Sequence, residues 1–144
     1  MAPRFYSKEW CEAVKQKANS AEDYLKKQVK MTAKMVFIVT DCPDGNDVKL
    51  MWIHDKGHVD YIWEAKPAPA DFRRETEPWD ESIGLSRTQG AYLTYQKIQK
   101  REMSLMQSMA SKLYVTDGDM IKAMQFMPNM VAFADLQGAV ECEY

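Results

Sequence analysis

The sequence predicts an α/β domain of the α+β kind, and three observations carry that reading. From Ser7 to Lys30, Trp10, Cys11, Val14, Ala18, Ala21, Leu25 and Val29 recur at threes and fours between charged residues, the period of an amphipathic helix. Thr32 to Ala65 holds three stretches of strand character separated by turn chemistry. Near the end, Lys112–Thr116 alternates like a short strand and leads through Asp117-Gly118 into an apolar helical stretch, Met120 to Leu136.

Taken in order, Ser7 is a helix cap and opens a helix of about six turns that ends near Lys30. Met35 to Val39 is apolar on both faces, as a central strand is. Pro43-Asp44-Gly45-Asn46 turns the chain into Val48–His54, where Leu50 and Trp52 alternate with Met51 and Ile53. Asp55-Lys56-Gly57 turns it again into Val59–Ala65, which sets Tyr61 and Trp63 opposite Asp60, Ile62 and Glu64. Lys66-Pro67-Ala68-Pro69 is a connector, because proline cannot serve a sheet interior. Ala70 to Glu77, charged except at Phe72, is read as a fourth strand, and Pro78-Trp79 as the start of a helical stretch interrupted at Gly84 and near Gly90. Ala91 to Ala110 is a second amphipathic helix whose middle, Gln96 to Glu102, is polar and solvated. Asp119 caps the last helix, and Pro128 falls where a second helical turn starts.

Composition narrows the function. A chain of 144 residues suits one domain spanning residues 1–144, with a real hydrophobic core. A net charge of −2, without basic runs or RNA-stacking motifs, speaks against nucleic acid as partner. Cys11, Cys42 and Cys142 are few, odd in number and without metal-ligand spacing, which predicts free thiols in a reducing compartment. The first ten residues lack the apolar stretch of a signal peptide, and no apolar run reaches membrane-spanning length. A cytoplasmic location is the resulting expectation.

No catalytic constellation stands out. His54 and His58 are four apart but flank a turn glycine, so they cannot form the helical zinc motif and are read as solvated hairpin residues. The cysteines have no histidine partner at a recognisable spacing, and neither a nucleophile elbow nor a phosphate loop occurs. Metal, cofactor and catalytic residue are therefore all expected to be none. The methionines of the last helix are more informative. Met120, Met124, Met127 and Met130 are spaced by four and three and share one face. Spacing alone fits either an ordinary core helix or a wall lining a ligand cavity, for which methionine's flexibility is suited.

The segment Ala70-Asp71-Phe72 with Glu77-Pro78-Trp79-Asp80, and the segment Lys112-Leu113-Tyr114-Val115 with Gly118-Asp119-Met120, resemble the sterol carrier protein type 2 domain, also called the non-specific lipid-transfer domain. The likeness extends roughly from Thr32 to Leu136. It implies a five-stranded mixed sheet covered by helices, with an apolar tunnel for a fatty acid, fatty acyl-CoA, sterol or phospholipid and no chemistry of its own. Two departures accompany it. The interval from Trp79 to Lys112 is longer than the family's spacing, which predicts an extra or lengthened helix, and Ser111 stands where the family has glycine.

The expectation is a non-enzymatic lipid-binding or lipid-carrier domain. Its tunnel would be walled by Met120, Met124, Met127, Met130 and Phe133 of the last helix with Met106 and Met109. Phe37, Leu50, Trp52 and Trp79 would form the opposite wall. Its partner would be a lipid or other long apolar molecule. Transient contact with a membrane surface and a homodimer are left open. Two alternatives compete: an enzyme or enzyme accessory acting on an acyl or aromatic substrate through His54, Glu64 or Tyr61, and a ligand-free interaction module.

Overall fold

The computed structural model describes residues 2–74 and 79–144, apart from the side chains of Arg73, Arg74, Leu105, Met106, Met109 and Met120. Three strands, β1 (Ala33–Thr40), β2 (Asn46–Asp55) and β3 (His58–Pro67), form the expected antiparallel meander. β4 (Ser86–Ala91) joins the free edge of β1 in parallel, and β5 (Tyr114–Gly118) pairs antiparallel with β4. The result is a five-stranded mixed sheet in the order β3-β2-β1-β4-β5.

The two sheet faces differ in what covers them. Met35, Phe37 and Val39 pair with Trp52, Leu50 and Val48, so these side chains share one face. Helix α1 (Lys8–Ser20) lies on that face, burying Trp10, Cys11, Val14 and Ala18. Helices α5 (Met120–Gln125) and α6 (Met127–Gly138) cover the rest of it, with Phe133 and Leu136 buried from α6. The N-terminal segment joins this layer. Phe5 and Tyr6 are buried against Trp10, and the Phe5 N–H donates to the Glu143 carbonyl at 2.7 Å. On the opposite face Val36 and Ile38 pack with Phe72, Met51 and Trp79.

Several expectations about element boundaries are corrected. The first helix breaks at Ala21, and α2 (Glu22–Lys27) follows as a separate short helix. The cause lies one turn earlier. The Asn19 amide donates to the Val59 carbonyl at 2.9 Å and accepts from the Val59 N–H at 2.8 Å, which fixes the end of α1 to β3. Val29, past the end of α2, is left exposed.

The fourth strand lies at 86–91, not at 70–77. Asp71–Arg74 is a 3-10 helix, and Glu75 to Pro78 lie outside the described residues. Lys66 and Pro67, read as connector, extend edge strand β3 opposite Asp47 and Asn46. Buried Asp47 accepts the Asp41 N–H at 2.8 Å and the Ala70 N–H at 2.9 Å. Gly84, read from sequence as a helix interruption, is a close-approach position. A Cβ there would sit 2.7 Å from the Lys34 carbonyl oxygen, to which Leu85 N–H also donates as β4 docks beside β1.

The predicted helix 91–110 is two helices, α3 (Tyr92–Gln99) and α4 (Leu105–Ala110). They part within the polar run, where Arg101 takes a φ of 60° and no apolar side chain rewards continuing the helix. Trp79 is not helical. Its indole N–H donates to the Gly84 carbonyl at 2.8 Å and its ring lies under the Arg87 guanidinium, which pairs with Asp117 at 3.1 Å.

Candidate functional site

The apolar layer between the sheet and α5–α6 is the region the sequence singled out. Its frame is set locally. The Asp119 carboxylate accepts the Lys122 N–H at 3.0 Å and starts α5. Phe126 ends α5 and precedes α6, and Pro128 lies in the first turn of α6. Asn129 then fastens α6 to the end of α2. Its amide donates to Gln28 Oε1 at 2.6 Å, while buried Gln28 donates back to the Asn129 carbonyl at 2.9 Å.

Beneath this frame Met31, Met35, Leu85 and Ala123 form a buried cluster, with Phe37, Phe126 and Met130 packed against it. A groove of about 220 Å³ opens beside the cluster, lined among others by Ala33, Ile83, Leu85, Lys122 and Phe126. It is smaller than the roughly 300–1,000 Å³ of ordinary small-molecule pockets. Phe37 touches both this cluster and the neighbouring core around Trp10. Moving along the same sheet face, Ala33 is paired with His54, and Met35 with Trp52.

The expected site residues divide by position. Phe37, Met130 and Phe133 are together in the layer between sheet and α6. Leu50 and Trp52 lie on the same face but deeper, closed over by Trp10 and Phe133. Met124 and Met127 point outward, 66% and 42% exposed, with Ile121 and Val131 exposed beside them. Trp79 is on the other side of the sheet. The side chains of Met106, Met109 and Met120 lie outside the described residues.

His54 departs from its expected place in solvent. His58 is exposed, but His54 is 2% exposed, and its ring meets Phe133 edge-to-face at 4.6 Å. Burial pushes the imidazole down to about 4, so it is neutral at pH 7. The alternation of β2 held the signal: His54 is in phase with Leu50 and Trp52, and so belongs to the core face. Met31, Phe5 and Tyr6 are further core residues that sequence reasoning did not assign. Met31 and Tyr6 sit outside any periodic run.

The residues named for a catalytic alternative do not converge. Tyr61 donates from its hydroxyl to Glu12 at 2.7 Å, whereas Glu64 alternates to the opposite face and is exposed. Cys11 and Cys42 are buried free thiols, and burial pushes the Cys42 thiol up to about 12, far from a reactive thiolate. Among the described residues no group of three or more His, Cys, Asp or Glu could hold a metal ion. No helix among them is long and apolar enough to cross a membrane.

Neither a protein-family model nor a curated protein matches this sequence. Solved structures match the fold. A Thermus thermophilus protein described as possibly a sterol carrier protein superposes with a TM-score of 0.69 at 12% identity, over 97% of this chain and 92% of its own. A crystal structure of sterol carrier protein 2 gives the same TM-score at 13% identity, over 96% and 100%. This chain has the sterol carrier protein 2 fold. The apo form of Yarrowia lipolytica sterol carrier protein 2 follows at a TM-score of 0.56 and 14% identity, over 86% and 98%. The mixed sheet with helices, expected from two short motifs, is therefore found across nearly the whole length. At these identities the likeness extends to the fold.

Proposed function

We propose that this chain is a lipid-binding carrier domain. It holds one long apolar molecule, such as a fatty acid, fatty acyl-CoA, sterol or phospholipid, between the sheet and helices α5–α6, without a covalent step. The observation that carries this reading is the methionine-rich cluster under α5–α6, with its groove at Ala33, Leu85 and Phe126. Its fold is that of proteins named sterol carriers, which supports the reading.

The energetics favour it. Each methylene removed from water contributes about 0.8 kcal/mol, so an acyl chain needs no polar anchor. The groove of about 220 Å³ must enlarge to admit one, and unbranched Met35 and Met130 can change rotamer at little cost. Met124 and Met127, outward-facing on α5 and α6, would then turn toward the ligand as these helices adjust. Phe37, Met130 and Phe133 form the inner wall in this reading, and Leu50 and Trp52 its floor.

Purified protein titrated with a fluorescent long-chain fatty acid is expected to bind saturably and to release the probe to unlabelled lipid. Native mass spectrometry with lipid extraction identifies what co-purifies. A failure to saturate at any soluble ligand concentration would remove the carrier reading.

A further inference from the structure

The four tryptophans fall into two pairs. Trp63 donates its indole N–H to the Tyr6 carbonyl at 3.1 Å, and Trp79 donates to the Gly84 carbonyl at 2.8 Å. Trp10 and Trp52 donate to nothing, although both indole nitrogens are enclosed. Both nitrogens of His54 are likewise enclosed and without a partner. Buried polar atoms without partners are uncommon, and each costs about 1–3 kcal/mol of lost hydration.

These groups are neighbours. The Trp10 and Trp52 rings are 6.0 Å apart, and Phe133 meets Trp52 at 5.2 Å and His54 at 4.6 Å, both near-perpendicular. The Tyr24 and Tyr92 hydroxyls and the Nε of Arg87 are also enclosed without a hydrogen bond, although Arg87 pairs with Asp117 through Nη2. Here, however, one phenyl ring from α6 lies against two such residues at once, Trp52 and His54. Contacts to its ring offset only part of what a true hydrogen bond would supply. The same face runs from here through Ala33, the strand partner of His54, to the groove beside Phe126.

We infer that Phe133 holds the place of a ligand's polar end, and that the site formed when it moves takes an apolar molecule terminated by one uncharged oxygen, such as a long-chain alcohol. The inference rests on the carrier reading above and specifies its ligand. Two indole N–H groups and one neutral imidazole offer three donors and one acceptor, which match a hydroxyl or carbonyl oxygen. A carboxylate would enter with its charge unpaired. Arg87, which is buried, lies on the opposite face against Trp79, and burying an unpaired charge is strongly unfavourable.

The test is a titration of uniformly 15N-labelled protein with 1-tetradecanol, tetradecanoate and tetradecane, following the four indole N–H resonances. With the alcohol, Trp10 and Trp52 are expected to shift while Trp63 and Trp79, already bonded, stay in place. Tetradecanoate and tetradecane should bind about tenfold more weakly than the alcohol, about 1.4 kcal/mol. His54→Phe, which keeps an aromatic ring against Phe133, should lower affinity for the alcohol while leaving that for tetradecane unchanged. A ring needed only for packing would shift all three affinities together. Saturable binding of the alcohol with silent Trp10 and Trp52 resonances overturns the inference and leaves the carrier reading intact. No binding of any of the three contradicts both. Should His54→Phe fail to fold, the wild-type indole shifts decide alone.

Discussion

At Gly118 the chain leaves β5 for the cap of α5 with a φ of 142°, and a Cβ there would drive into the Leu85 carbonyl oxygen and against Ser86. The neighbours are backbone of the adjacent strand, which cannot yield as a flexible side chain would. Gly118→Val should therefore destabilise the fold by about 1–3 kcal/mol, measured by denaturant unfolding. An unchanged midpoint would mean that the strand–helix junction is looser than its geometry indicates. His54 supports a second expectation at this scale. Its folded value of about 4 lies below the usual 6.5, so between these pH values the unfolded chain binds more protons. Stability is fully present above pH 6.5 and falls with pH through that window, by as much as about 3 kcal/mol at its lower end. His54→Phe should flatten the stability profile between about pH 6.5 and 5.5, above the range where most carboxylates titrate. A wild-type profile already flat there would place the imidazole in contact with water.

Helices α5 and α6 are the elements on which function turns, and they are lightly held. From α6 only Phe133 and Leu136 are buried, and Asn129 ties its first turn to Gln28. Asn129→Ala leaves the Gln28 amide oxygen without that donor, at a cost of about 1–3 kcal/mol. Amide exchange in α6 should accelerate more than in β1 or β2, a contrast that hydrogen exchange with mass spectrometry reads directly. Equal acceleration throughout would show that α6 unfolds only with the whole domain. Element boundaries also show where sequence reasoning stops. The meander was legible because its turn residues and alternation agree. Ser86–Ala91 was not, because Ser-Arg-Thr-Gln-Gly-Ala carries no apolar alternation and owes its strand state to docking beside β1 and β5. The break after Ser20 was invisible for the same reason, since it depends on Asn19 finding Val59 forty residues later.

On the scale of the whole molecule, the two motifs around Phe72-Trp79 and Tyr114-Asp119 pointed to the fold. The strand and helix read at the first of them, and the elements between them, were nevertheless misassigned in part. The candidate site was less legible. Periodicity told which methionines share a helical face, but not that Met124 and Met127 would turn outward while Met31 and Met35 fill the layer beneath. The helix ends at Phe126 and restarts at Met127, and helical spacing carries no record of that break. The central claim is that an apolar ligand lodges between the sheet and α5–α6. The most direct measurement is photolabelling with a long-chain alcohol that carries a diazirine near its terminal methyl, followed by peptide mapping. Adducts on Met35, Phe126 and Met130, suppressed by excess unlabelled alcohol, are the predicted result. Adducts confined to the opposite sheet face around Ile62 and Trp79, or insensitive to competitor, would contradict the account.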